Sequence, residues 1–164
     1  MASPYVHERQ SEYWTSRQIE DYYLDADFEL LVFPLSQYSE KLVPTDYIFF
    51  DKHLSKLFGF QYKALYHGRK DYWPIDPDQH KQLSNFSWIY YCLSELKNAG
   101  EHRTALHKIR IISPTFPFQE KLYPSGQGRL DNYSRWGAFY DGLAACLRSL
   151  VSNRNSPQVG EKSQ

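Results

Sequence analysis

Two runs of strand-forming residues, separated by a short polar connector, constrain the fold of this chain more than any other feature. The first run is residues 46–51 (DYIFFD), the connector is 52–56 (KHLSK), and the second run is residues 57–66 (LFGFQYKALY). Aromatic and β-branched residues favour strands, and a connector this short favours an antiparallel hairpin. The sequence therefore predicts a β-hairpin at the centre of the fold.

Periodic segments on both sides of the hairpin complete an α/β pattern. Apolar residues at helical spacing predict a first helix that begins near Ser11 or Thr15 and ends near Asp25. Thr15 and Gln18 have the spacing of a capping box. The other predicted elements are strands at 28–33, 87–93 and 106–112, an edge strand at 71–76, and helices at 77–86 and 133–152. The predicted class is α/β, with the order α-βββ-α-ββ-α.

Length and composition indicate one domain. A chain of 164 residues, 41% of them hydrophobic, is long enough to bury a continuous core. No apolar run approaches the roughly 18 residues of a membrane span. We expect the domain at 11–152, between a flexible tail at 1–10 and a polar, disordered tail at 153–164. Without a signal-peptide pattern, and with Cys92 and Cys146 in apolar runs, the expected location is the cytoplasm.

The charge balance limits how the chain can bind nucleic acid. Nineteen basic and nineteen acidic residues give a net charge of zero, so any such contact needs a local basic patch. The densest basic neighbourhood contains Lys52, Lys56, Lys63, His67, Arg69 and Lys70. Within it, Lys56, Arg69 and Lys70 are candidate contacts to phosphate groups, and a solvated loop explains them equally well. Aromatic residues, 17% of the chain, are expected mainly in the core, and exposed ones can stack on bases.

Three polar residues of the hairpin are harder to explain by packing. Asp46 opens an apolar strand, and the two-residue period of a strand puts Gln61 and Lys63 on one face. If the hairpin pairs Asp46 with Gln61, a carboxylate, an amide oxygen and an ammonium meet on one surface. Such a group suits metal-assisted phosphodiester hydrolysis, in which oxygen ligands hold Mg²⁺ and a lysine orients water or offsets phosphate charge.

This pattern resembles the PD-(D/E)XK nuclease superfamily, in which an aspartate on one strand of a hairpin is followed by an acidic residue, any residue and lysine on the next. The matching stretches are Pro44-Thr45-Asp46 and Gln61-Tyr62-Lys63. One residue separates the proline from the aspartate, and glutamine replaces the usual acid, as in transposon end-cleaving endonucleases. The resemblance implies a restriction-endonuclease-like α-β-β-β-α-β core with a mixed central sheet, to which this chain adds a C-terminal helix.

The resemblance implies an endonuclease that uses Mg²⁺ or Mn²⁺ to hydrolyse phosphodiester bonds, with DNA as the expected substrate. Asp46 and Gln61 are the implied metal ligands. Lys63 is the implied residue that orients the water or offsets the charge of the phosphate. Glu20 on the first helix is the implied additional acid and metal ligand, with Asp21 as the next candidate.

Two alternatives to an active nuclease stay open. Glutamine adds no charge to hold a cation, which favours a catalytically inactive module of the same fold that binds nucleic acid or a protein. The other alternative is a homodimer, or a subunit of a larger complex that docks through the helix predicted at 133–152.

Overall fold

The structure, a computed structural model, describes residues 2–36, 42–125 and 132–154, and the side chains of the last helix as far as residue 145. The elements along the chain are α1 (Glu8–Asp25), β1 (Leu30–Pro34), β2 (Tyr47–Asp51), β3 (Lys56–Lys63), β4 (Trp73–Pro74), α2 (Pro77–Leu83), β5 (Ile89–Ser94), a 3₁₀ helix (Ala99–His107), β6 (Ile109–Ile112), β7 (Lys121–Leu122) and α3 (Trp136–Arg154). Five strands form a mixed sheet in the order β1-β2-β3-β5-β6, and β4 pairs with β7. The α/β class is therefore confirmed.

β2 and β3 form the predicted antiparallel hairpin. Tyr47 pairs with Phe60 and Asp51 with Lys56, and β1 pairs antiparallel with the other edge of β2. β5 lies parallel to β3, and β6 returns antiparallel to β5. Parallel neighbours need a crossover connection, and α2 lies in the connection between β3 and β5.

The two faces of the sheet bury separate groups of side chains. α1 and the beginning of α3 contribute to one cluster, which contains Ile19, Tyr23, Phe58, Phe60, Tyr62, Trp136 and Phe139. The cluster on the other face contains Trp73, Leu83, Ile89, Tyr91 and Leu93. Side chains alternate along a strand, so Gln61 and Lys63 lie on the face opposite the one that packs against α1.

The N-terminal region differs from the sequence prediction. Residues 8–10 belong to α1, although a tail is predicted there, and Val6 is buried. Tyr5 N donates a hydrogen bond to Leu65 O at 2.9 Å, which attaches this segment just beyond β3. The capping prediction for Thr15 is wrong, because Thr15 lies buried inside the helix. The buried side of α1 includes small polar residues, which weaken the apolar period that marks a helix.

Three further boundaries differ. The chain enters β6 through the 3₁₀ helix, whose buried residues Ala105 and Leu106 extend the apolar run and imitate the start of a strand. β7 lies in a stretch that the sequence predicts as loop. Of the predicted C-terminal tail, residues 153 and 154 lie in α3, and residues 155–164 lie outside the described part.

The first turns of α3 pack on the domain's own core. Trp136 and Phe139 are buried, and the Phe139 ring lies against the rings of Phe58 and Phe60. This part of the helix is therefore not a free docking surface, and the homodimer or larger complex stays a prediction. None of the described helices has the length and apolar character that a bilayer crossing requires.

Cys92 provides a test of how tightly the sheet is packed. Its side chain is buried on β5, and burial, together with the charge of Asp46, raises the pKa of the thiol well above its usual range. We expect iodoacetamide to leave Cys92 unmodified in the folded protein between about pH 7 and pH 9, and to modify it after denaturation. Peptide-resolved mass spectrometry distinguishes Cys92 from Cys146. Rapid alkylation of Cys92 in the folded protein would contradict this packing.

Candidate functional site

Asp46 lies directly before β2, and two N–H donors hold its carboxylate. Oδ2 accepts hydrogen bonds from Gln61 Nε2 at 2.8 Å and from the backbone N–H of Tyr62 at 2.7 Å. The backbone is held too, because Asp46 N donates to Phe60 O at 3.0 Å and Asp46 O accepts from Leu35 N at 2.9 Å. The position of Asp46 is therefore defined from both neighbouring strands.

Thr45 shapes the chain that leads to Asp46. Its buried hydroxyl donates to Phe60 O at 2.9 Å and to Tyr47 O at 3.0 Å. Gly59 allows this close approach, since a Cβ atom there would lie 3.0 Å from Thr45 Oγ1 and 3.3 Å from Tyr47 O. The extra residue of the motif thus has a structural role.

Gln61 and Lys63 share the sheet face of Asp46, as the alternation predicts. The pairing of Tyr47 with Phe60 places Asp46 opposite Gln61, and their side chains are in contact. Gln61 is only 4% exposed, whereas Lys63 is half-buried at the end of β3. The structure thus brings Asp46 and Gln61 together, with Lys63 two residues further along the same face.

A cavity of about 390 Å³ opens beside Asp46 and contains acidic side chains of α1. Its lining consists of Glu8, Arg9, Glu12, Pro34, Leu35, Ser36, Asp46 and Tyr47. Glu8 Oε2 also accepts a hydrogen bond at 3.3 Å from the backbone N–H of Ala64, the residue after Lys63. Glu8 and Glu12 are one helical turn apart, so both carboxylates reach this cavity from one side of α1.

The cavity contains charges of both signs, because Arg9 lies in its lining beside Glu8, Glu12 and Asp46. Burial raises the pKa of Tyr47, and the negative charges of Glu12, Asp46 and Glu20 raise it further. Carboxylate and amide oxygens are the ligands that Mg²⁺ prefers. Within the described ranges, no three His, Cys, Asp or Glu side chains are grouped closely enough to hold a metal ion. Of the predicted metal ligands, Asp46 is in the lining of this cavity, whereas Gln61 and Lys63 are not.

The orientation of the Gln61 amide decides whether it can be a ligand. Its nitrogen now donates to Asp46, and a half-turn of the amide would present the oxygen instead. In the structure the amide of Gln61 is therefore a donor to Asp46 and not a ligand oxygen.

Glu20 is not among the residues that line the cavity beside Asp46, although its charge acts on Tyr47. Glu20 forms an exposed ion pair with Arg17 at 3.3 Å and lines a different cavity, and Asp21 lies 3.7 Å from the same arginine. Along the helix axis, Glu20 is about 12 Å from Glu12 and about 18 Å from Glu8. The acids of α1 beside Asp46 are thus Glu8 and Glu12. The sequence pattern indicates neither residue, because residues 1–10 are predicted as a tail and the resemblance points to Glu20 as the acid of the first helix.

The candidate nucleic-acid contacts also separate. Lys56 begins β3 and Lys63 ends it, about 23 Å away along an extended strand. Arg69 and Lys70 follow β3 and line a second cavity. Arg69 and Lys70 therefore follow the end of β3 at which Lys63 lies, whereas Lys56 lies at the opposite end of that strand.

Comparisons with known proteins add no relative to this description. No protein-family model, curated protein or solved structure matches the chain.

Proposed function

We propose that this protein is a metal-dependent endonuclease that hydrolyses phosphodiester bonds in DNA. The observation that carries the proposal is the contact between Asp46 and Gln61 on the sheet face that also bears Lys63. The order α1-β1-β2-β3-α2-β5 supports it, because this is the order expected of a restriction-endonuclease-like core; β4, which comes between β3 and α2, belongs to the separate two-stranded sheet.

Each residue of the site has a distinct role in this proposal. Asp46 supplies the anionic ligand, which its two N–H donors hold in place, and Gln61 supplies a neutral oxygen once its amide turns. Glu8 and Glu12 add negative charge to the cavity. Lys63 orients water or offsets the charge of the phosphate. A bound divalent cation supplies Lewis-acid stabilisation of the phosphate and makes water more acidic.

Positive charge around the acidic cavity supports a nucleic-acid substrate. Arg9 lies in the cavity wall, Lys63 ends the neighbouring strand, and Arg69 and Lys70 follow it. Cationic side chains bind the phosphate backbone without reading the bases. This arrangement would hold a strand across the site while the acids bind the metal ion.

Lys63→Ala tests the catalytic reading. We expect this variant to cleave supercoiled plasmid at least about 10²-fold more slowly in Mg²⁺ or Mn²⁺, because removal of one group that stabilises transition-state charge has an effect of that order. Lys52→Ala is the matched control, since Lys52 lies in the hairpin turn at the other end of β3 and forms an exposed ion pair with Glu29. Its cleavage should equal that of the wild type. Unchanged cleavage by Lys63→Ala, or no cleavage by the wild type, would refute the proposal.

A non-catalytic module that binds nucleic acid is the second candidate. The observation that favours it is the amide nitrogen of Gln61 facing Asp46, where the resemblance expects a second acid. Thermal denaturation with and without Mg²⁺ separates the two candidates. A cation that binds only the folded protein must raise its melting temperature, so an endonuclease is stabilised by Mg²⁺ and the module is not.

A further inference from the structure

A second cavity, of about 640 Å³, lies beyond the end of β3 and combines positive charge with tyrosine rings. Its lining includes Gly68, Arg69, Lys70, Tyr72, Lys121 and Tyr123. No acidic side chain of the described residues is among the lining. The cavity therefore differs from the acidic one beside Asp46 both in charge and in aromatic content.

The positive charges of this cavity are available to a ligand. Within residues 2–36, 42–125 and 132–154, neither Arg69 nor Lys70 forms an ion pair. The acid next in the chain, Asp71, is already bound to Lys97 Nζ at 2.8 Å and to the Tyr5 hydroxyl at 2.8 Å. Its charge is therefore satisfied outside the cavity.

The cavity is assembled from three separate parts of the chain, namely Ala2, residues 68–72 and residues 121–123. Lys121 reaches it through the pairing of β7 with β4, in which Lys121 lies opposite Pro74. The ammonium of Lys121 lies 4.4 Å from the centroid of the Tyr72 ring, a cation–π distance. The turn at Gly68 is tight, since a Cβ atom on Gly68 would lie 3.2 Å from the Tyr72 ring. Lys121 therefore lies against the Tyr72 ring, and the Tyr66 ring is 5.8 Å from it, centroid to centroid.

We propose that this cavity binds an unpaired nucleotide of the DNA strand that continues from the cleavage site. Cations bind the phosphate and tyrosines stack on the base, which is how proteins hold single strands. A base inside a duplex has no free face to offer a tyrosine. The volume lies in the range of sites that enclose small ligands.

The position of the cavity suits such a strand. From Lys63 to Arg69 the chain spans at most about 20 Å, so a strand whose reactive phosphate lies near Lys63 can continue into the cavity. That the bound strand is the substrate rests on the proposed endonuclease function. The binding itself does not depend on cleavage and can be measured without metal.

Fluorescence anisotropy in EDTA tests the proposal, with a labelled oligothymidylate of about 12 nucleotides and a blunt duplex of the same length. We expect Arg69→Ala/Lys121→Ala to bind the oligothymidylate at least about tenfold more weakly, with a shallower salt dependence and a smaller change for the duplex. Tyr72→Leu should also lose about tenfold, because stacking on one base has an effect of that order. Lys52→Ala/Lys81→Ala removes the same charge elsewhere and should bind like the wild type.

Several results would overturn the proposal. They are equal binding of the oligothymidylate by wild type and Arg69→Ala/Lys121→Ala, an equally large loss in the Lys52→Ala/Lys81→Ala control, and displacement of the oligothymidylate by inorganic phosphate at similar concentration. Failure of the wild type to bind the oligothymidylate would have the same meaning. Arg69 and Lys121 are exposed, so folding of the variant is expected and a thermal melt verifies it.

The two proposals can fail separately. A wild type that binds the oligothymidylate through this cavity but cuts no DNA contradicts the endonuclease and keeps the binding site. A protein that cuts DNA, with Arg69→Ala/Lys121→Ala unchanged in affinity, contradicts only the binding site.

Discussion

Replacement of Asp46 by asparagine is expected to slow Mg²⁺-dependent DNA cleavage by about 10³-fold or more while the protein stays folded. The hydrogen bonds from Gln61 Nε2 and Tyr62 N both end on one oxygen, Oδ2, so the amide oxygen of an asparagine can accept both. The substitution removes the negative charge and keeps these two hydrogen bonds. Loss of a metal ligand costs several kcal/mol of transition-state stabilisation, and each 1.36 kcal/mol is about tenfold in rate.

The same variant can be measured without a cleavage assay. Mg²⁺ should raise the melting temperature of the wild type and leave that of Asp46→Asn unchanged. Asp46→Ala also removes both hydrogen bonds and should be less stable even without metal. Asp141→Asn, which removes an exposed charge from α3, is the matched control and should behave as the wild type. Cleavage by Asp46→Asn within about tenfold of the wild-type rate would contradict the role of Asp46 as a ligand.

Removal of the Asp51 carboxylate is expected to lower the free energy of unfolding by about 3–5 kcal/mol. Asp51 is fully buried at the end of β2; Oδ2 accepts from the Tyr23 hydroxyl at 2.7 Å and Oδ1 from Leu54 N at 2.8 Å. Burial and the hydrogen bond to Asp51 raise the pKa of Tyr23 well above its usual range, so the hydroxyl stays a donor. Asp51→Ala leaves two buried donors without an acceptor and a void beside them.

Urea denaturation measures this loss, and Tyr23→Phe calibrates it. That variant removes one hydrogen bond and keeps the ring, so it should lose about 1–3 kcal/mol. The double variant should lose less than the sum of the two, because the pair shares an interaction. A loss below about 1 kcal/mol in Asp51→Ala would show that this carboxylate does not hold the hairpin turn to α1.

The hairpin and the residues that face each other across it can be predicted from the sequence because of the geometry of a strand. A strand has a period of two, and a shift by one residue would turn the buried Phe58 and Phe60 to the other face. The register that buries them also places Asp46 opposite Gln61 and puts Lys63 on the same face. The same register therefore fixes both the packing of the core and the positions of the candidate site residues.

Two parts of the site could not be predicted in this way. Ser11 and Thr15 occupy buried positions of α1, so apolar spacing does not mark the start of the helix. The sequence pattern therefore does not indicate Glu8 and Glu12 as site residues. The cavity near Arg69 depends on Lys121, which reaches it through a pairing of two-residue strands. Strands this short carry no period, and β4 contains a proline, so no local pattern indicates that contact.

The anchored N-terminal segment decides where a purification tag can be placed. Ala2 lines the cavity that contains Arg69 and Lys121, and Tyr5 is bonded to the chain that follows β3. A tag fused ahead of Ala2 would start at the mouth of that cavity, where a polyhistidine stretch would compete with an oligonucleotide or screen it. A cleavable tag after residue 164 is not fused to the segment that lines this cavity, so oligonucleotide affinities from proteins tagged at the two ends are not interchangeable.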